Sequence, residues 1–192
     1  MYIFIQFDNN INGDKMKKIL IMLFLFILTG CNMYNTPTKQ TELFLGKYQN
    51  LDESVISDID SSILIDSNMT DTQKTRYKEV LKRQYKDLTY MIKDETIDGD
   101  SAKVTVEIEV YDFYKELNKA KDNKNENNKD ILDDNGKIDE SLYINYQLNK
   151  LSEAKERVKY TLELSLTKVE DDWKVNDLSN DELEKISGVY AY

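Results

Sequence analysis

The chain carries one thiol, Cys31, and no imidazole at all. Those two facts remove most of the usual catalytic repertoire. Ser-His-Asp and Cys-His nucleophilic catalysis both require an imidazole base. Zinc held by histidine is excluded, and a lone thiolate cannot build a cysteine cage. No glycine-rich phosphate-binding loop occurs. The groups left to do chemistry are 36 carboxylates, 26 cations and 13 tyrosines, and no cofactor is expected. The surroundings of Cys31 give it another role. Lys17 and Lys18 precede an apolar run from Ile19 to Leu28, and Thr29 and Gly30 lead into the cysteine. Two cations, a short apolar run and small residues compose an export signal.

Leu28-Thr29-Gly30-Cys31 resembles the lipobox of bacterial lipoproteins. The resemblance implies cleavage before Cys31 and two or three acyl chains on it, which hold firmly where a single chain binds only marginally. It places the protein on the extracytoplasmic face of the cell membrane, anchored by lipid. A membrane-spanning helix is the competing reading, but a span needs about 20 apolar residues, and Ile19 to Leu28 supplies about half of that. Residues 1–15 fit the signal poorly, since they hold Asp8 and Asp14 and no cation before Lys15. Met16-Lys17-Lys18 opens as a signal should. The expected organisation is an upstream mis-start at 1–15, a signal peptide at 16–30, a tether at 31–39 and one domain at 40–192. Cleavage removes three cations (Lys15, Lys17, Lys18) and two carboxylates (Asp8, Asp14), moving the formal charge from −10 to −11. Nucleic acid and anionic headgroups repel such a protein. Nucleic acid is therefore not an expected partner, and attachment to the membrane falls to the lipid on Cys31.

Among the carboxylates, Asp133-Asp134-Asn135-Gly136-Lys137-Ile138-Asp139 looks like the middle of an EF-hand calcium loop. With Gly136 at loop position 6, Asp133, Asn135 and Asp139 fall at positions 3, 5 and 9. Positions 1 and 12 fall on Ile131 and Leu142, which lack the side-chain oxygens those positions require. Asp133, Asn135 and Asp139 thus form a weak calcium candidate, against the alternative of an Asx-rich turn that opens a helix.

The elements that must position any site are legible from periodicity. Thr36-Pro37 suits a helix start, with Leu43, Phe44 and Tyr48 on one face. Val55, Ile56, Ile59 and Ile63 recur at helical spacing over Asp52 to about Ser62. Thr70 and Gln73 form a capping box ahead of the stripe Tyr77, Val80, Leu81 and Tyr85. The cations from Lys74 to Lys86 lie between, as a solvated face or an anion-binding surface. Leu88, Tyr90 and Ile92 then alternate as a strand. A turn at 97–101 leads to the cleanest strand, Ala102 to Val110, which should pair with it as a hairpin. Residues 119–137 read as a mobile loop, because Lys119 to Asp130 has almost nothing apolar to bury. A helix from Asp139 to about Lys155 follows, with Leu142, Tyr143, Tyr146 and Leu151 as its packed side. Val158 to Leu166 alternate as a long strand, Trp173 and Val175 begin its return, and Ser179 and Glu182 cap a short helix ended by Gly188.

Helices followed by antiparallel strands indicate an α+β domain. With the hairpin at Leu166–Val175, the order resembles the nuclear-transport-factor-like, or cystatin-like, cone: N-terminal helices on a curved antiparallel sheet of about four strands, here with a helical insertion between hairpins. The resemblance covers roughly residues 40–188. It implies a pocket between sheet and helices, where some relatives use Asp and Tyr for proton transfer and enolate stabilisation. Tyr85, Tyr90, Asp112, Tyr114 and Tyr160 are the residues here that would line it. Tyrosines at such positions also pack cores with the hydroxyl at the rim, and Asp112 lies on the inward face or at the strand end. Two functions are therefore expected as alternatives. One is a non-enzymatic binding domain for an envelope protein or small ligand. The other is a small-molecule enzyme built on the Asp/Tyr pocket.

Overall fold

The computed structural model describes residues 35–65, 68–124 and 128–192. The export signal, with Leu28, Thr29, Gly30 and Cys31, lies outside the described residues, as does the side chain of Ile63. No described helix is long and apolar enough to cross a membrane. Three helices come first: α1 (Pro37–Asn50), α2 (Glu53–Ile65) and α3 (Asp71–Lys86). Strands β1 (Thr89–Asp98), β2 (Ser101–Tyr111), β3 (Arg157–Val169) and β4 (Asp172–Val175) form one antiparallel sheet in the order β1-β2-β3-β4. Between β2 and β3 sits an insertion of α4 (Phe113–Lys124), a 3-10 turn (Lys129–Ile131) and α5 (Glu140–Glu153), and α6 (Asn180–Ser187) follows β4. The domain is α+β, with an open sheet.

The caps form where the sequence places them. The Thr36 side chain accepts from the Lys39 amide at 3.1 Å with Pro37 in the first turn. Both capping boxes, Thr70 with Gln73 and Ser179 with Glu182, are complete. Along β2 every second residue from Ala102 to Val110 is buried, as alternation requires. On the solvent face, opposite charges pair across strands, including Lys159 with Glu107 at 3.1 Å and Lys103 with Glu163 at 2.9 Å. Glu170 and Asp171 carry φ values of 51° and 73° in the β3–β4 turn. Left-handed backbone at both turn positions matches the twist of a tight hairpin.

Four expectations need correction. The tether does not extend to residue 39. The Asn35 side chain donates to the Asp171 carbonyl and accepts from the Trp173 amide at 3.1 Å, so the domain begins there. On α1, Leu43 is 52% exposed and the buried positions are Pro37, Thr41 and Leu45. On α5, Leu142 is exposed, and Ile144 and Leu148 join Tyr143, Tyr146 and Leu151 inside. Finally, 119–124 is helix, not loop. Composition misleads here because the segment needs only one apolar contact of its own. Ala120 is fully buried against Ile131, Tyr143 and Tyr146, and those residues supply the apolar surface.

Two of the six cations of α3, Arg76 and Arg83, fasten the insertion. Arg76 donates to the side-chain carbonyls of Asn145 at 3.2 Å and Asn149 at 2.6 Å. Arg83 donates to the backbone carbonyls of Ser152 and Ala154 at the end of α5. Its guanidinium lies 4.0 Å from the centre of the Tyr111 ring, a cation–π contact. Lys78 and Lys82 pair with Asp60 and Glu79.

Candidate functional site

The inner face of the sheet is filled by its own side chains. Val104, Val106, Ile108 and Val110 on β2 and Leu162 and Leu164 on β3 are fully buried, beneath Leu45, Leu88 and Tyr85. Three of the five residues expected to line a pocket do converge, at the end of this face. Asp112 directly follows β2 and is 5% exposed. One of its carboxylate oxygens accepts from the Lys115 amide at 2.9 Å, capping α4, and the other accepts from the Tyr192 hydroxyl at 2.7 Å. Tyr160, on β3, donates its hydroxyl to the Tyr190 carbonyl at 3.0 Å. The Tyr192 ring lies 5.5 Å from that of Tyr114 and 6.4 Å from that of Tyr160.

Burial pushes the Tyr160 phenol up to about 12, and the Asp112 charge adds to the rise. The hydrogen bond to Asp112 likewise raises Tyr192, and burial adds to it. General acid–base catalysis is most effective with groups that titrate near the working pH. These phenols stay protonated far above it, so they act as fixed hydrogen-bond donors. The cluster fastens residues 189–192 over the corner between β2 and α4. Tyr190 and Tyr192 escape sequence reading because nothing local ties them to Asp112.

Tyr85 and Tyr90 do not join this cluster. Tyr90 is half-buried on β1, where burial and then Glu42 raise its phenol. Tyr85 lines a groove of ≈ 410 Å³ among α1, α2, α3 and α6. Its hydroxyl is 3.3 Å from the Ser187 hydroxyl, and its ring meets that of Tyr48 edge-on at 5.1 Å. Burial raises the Tyr48 phenol to about 12, followed by the influence of Tyr85 and Asp58. Val55, Ile59 and Leu81 form apolar walls, and Asp58 and Glu184 are the charged residues that line it. Sequence reading missed Tyr48, Asp58, Tyr77, Glu184 and Ser187 as site residues. Tyr48 and Tyr77 had a visible signal, their places on the packed faces of α1 and α3.

Two of the three calcium candidates, Asp133 and Asp139, use a carboxylate oxygen on nearby backbone amides. Asp133 accepts from the amides of Asn135 at 2.9 Å and Lys137 at 2.8 Å, and those bonds hold its carboxyl below the ordinary range. Asp139 caps α5 by accepting from the Leu142 amide at 2.9 Å. Ile131, at the first loop position, is fully buried. Among the described residues no group of three metal-ligating side chains converges.

No protein-family model matches the chain, nor does any curated protein or solved structure.

Proposed function

We propose that the protein is a lipid-anchored, extracytoplasmic binding domain of the cell envelope. The location follows from Lys17-Lys18, the apolar run and Leu28-Thr29-Gly30-Cys31. The observation that carries the binding reading is the contrast between two surfaces. The sheet face, where the cone likeness would put a reaction chamber, is buried beneath the helices from Val104 to Val110 and at Leu162 and Leu164. The helices instead border an open groove lined by phenols, a hydroxyl and carboxylates over apolar walls. A concave, mostly apolar surface with a few polar groups is the usual form of a ligand site.

The enzyme alternative draws on the Asp112–Tyr192 pair at 2.7 Å. Against it stand the raised phenols and the engagement of both Asp112 oxygens within the protein. We therefore place binding first.

Two measurements on the full chain test this. Metabolic labelling with an alkynyl fatty acid is expected to mark the wild type and not Cys31→Ala; label retained on the variant defeats the anchor. Crosslinking in membranes, read by mass spectrometry, is expected to give reproducible adducts on residues 35–192. An absence of adducts, together with turnover of a small molecule, would transfer the function to the enzyme reading.

A further inference from the structure

The groove has a specific electrostatic character. Three phenols (Tyr48, Tyr77, Tyr85) and the Ser187 hydroxyl line it, Asp58 and Glu184 are exposed carboxylates that border it, and no Lys or Arg is among its lining residues. Among the described residues, no Lys or Arg lies within 4.0 Å of either carboxylate. Three cations that adjoin lining residues in the sequence are engaged elsewhere: Lys78 with Asp60 at 2.6 Å, Lys82 with Glu79 at 2.8 Å, and Lys185 with the Thr161 carbonyl at 3.0 Å. Aromatic rings attract a cation through their quadrupole, and Tyr is among the effective ones. Carboxylates at the rim of a low-dielectric cleft raise the local concentration of cations. An anion would meet the opposite field and find no donor charge to offset its desolvation.

We propose that this groove binds an organic ammonium ion carrying an apolar body, with the body against Val55, Ile59 and Leu81 and the charge among the phenols, Asp58 and Glu184. The cavity, at ≈ 410 Å³, lies within the range of small-ligand sites. The assignment rests on the reading of the domain as a binding module and names the chemistry of its ligand.

The test uses the full chain in uncharged maltoside micelles, titrated with benzyltrimethylammonium and followed by amide chemical shifts. Saturable shifts are expected at residues of the groove, among them Asp58, Tyr85 and Ser187. Benzenesulfonate and benzyl alcohol are the anionic and neutral comparisons and are expected to bind far more weakly. The double variant Asp58→Asn/Glu184→Gln is expected to bind the cation roughly ten-fold more weakly, the size that two exposed charge contributions allow. Both positions are exposed, so the fold is retained, which an unchanged thermal midpoint checks. No shift at millimolar cation, equal binding of all three probes, or full affinity in the double variant would each overturn the proposal. None of these outcomes bears on labelling of Cys31 or on crosslinking, so failure of the groove and failure of the binding reading are separable.

Discussion

Gln84 pairs with both backbone groups of Tyr111: its Nε2 donates to the carbonyl at 2.9 Å and its Oε1 accepts from the amide at 2.9 Å. The same Nε2 donates to the Ser187 carbonyl at 2.9 Å. A fully buried side chain on α3 thus completes the end of β2 and the end of α6 together. Gln84→Ala strands three backbone groups away from water. At about 1–3 kcal/mol for each buried group left unsatisfied, and with partial relaxation, we expect a loss of about 3 kcal/mol. Urea denaturation checks this, and a loss below about 1 kcal/mol would show that water replaces the amide.

Gly188 sits where these contacts meet. Its φ is 75°, and a Cβ there would collide with the Gln84 amide and the Tyr111 carbonyl oxygen. The left-handed backbone alone costs an L-residue about 1–2 kcal/mol, and forcing in a methyl group adds about 1–3 kcal/mol. Gly188→Ala is expected to destabilise by about 2–5 kcal/mol. Gly136, with φ of 73° and open space around it, is the control. Gly136→Ala should show only the backbone part, and equal losses at the two sites would refute the steric account.

Thr41 is fully buried, and among the described residues its hydroxyl has no hydrogen-bond partner. Replacing an unpaired buried polar group by an apolar one of the same shape is neutral or stabilising. Thr41→Val is expected to raise stability by about 1 kcal/mol, or ~2–4 °C in the melting temperature of a chain this size. A lower melting temperature would mean that the hydroxyl has a partner after all.

Alkaline pH tests the buried phenols. Tyr48 and Tyr160 are both raised from 10.0 to about 12, chiefly because burial penalises the phenolate. A folded value above the unfolded one means that the contribution is complete below pH 10 and is lost as pH rises towards 12. The denaturation midpoint should therefore fall across that window. Tyr48→Phe should make the fall shallower by removing one titrating group. A slope unchanged in both Tyr48→Phe and Tyr160→Phe would assign the alkaline loss elsewhere.

Local rules explain what was legible in the sequence. A cap needs only its own residues, so Thr36, Thr70 and Ser179 announced their helices. The alternation from Ala102 to Val110 likewise predicted β2. The phase of α1 was harder, because Leu43, Phe44, Leu45 and Tyr48 permit more than one buried stripe. Packing selected Leu45 and turned a threonine inward beside it. The candidate sites were the least legible. Asp112 and Tyr192 are 80 residues apart, and the groove collects side chains from four helices. Such convergence is a property of the tertiary arrangement, and no spacing in the chain encodes it. Residues 119–124 were hidden for a related reason, since their apolar partners come from α5 and from Ile131 in the 3-10 turn.

The insertion also has a consequence for how the chain folds. The central strands pair from Ser101 with Thr167 to Tyr111 with Arg157, so every residue from Asp112 to Glu156 lies in the loop between them. Joining strands across a long loop carries an entropic cost that grows with its length. Here α4 and α5 pack on each other, and the Asp112 amide donates to the Glu156 carbonyl at 3.0 Å, closing the base. Once collapsed, the insertion presents β2 and β3 to each other across a short gap. We expect it to act as a splint for strand pairing, so that changes that loosen α4 from α5 slow refolding more than they hasten unfolding, as stopped-flow refolding would measure.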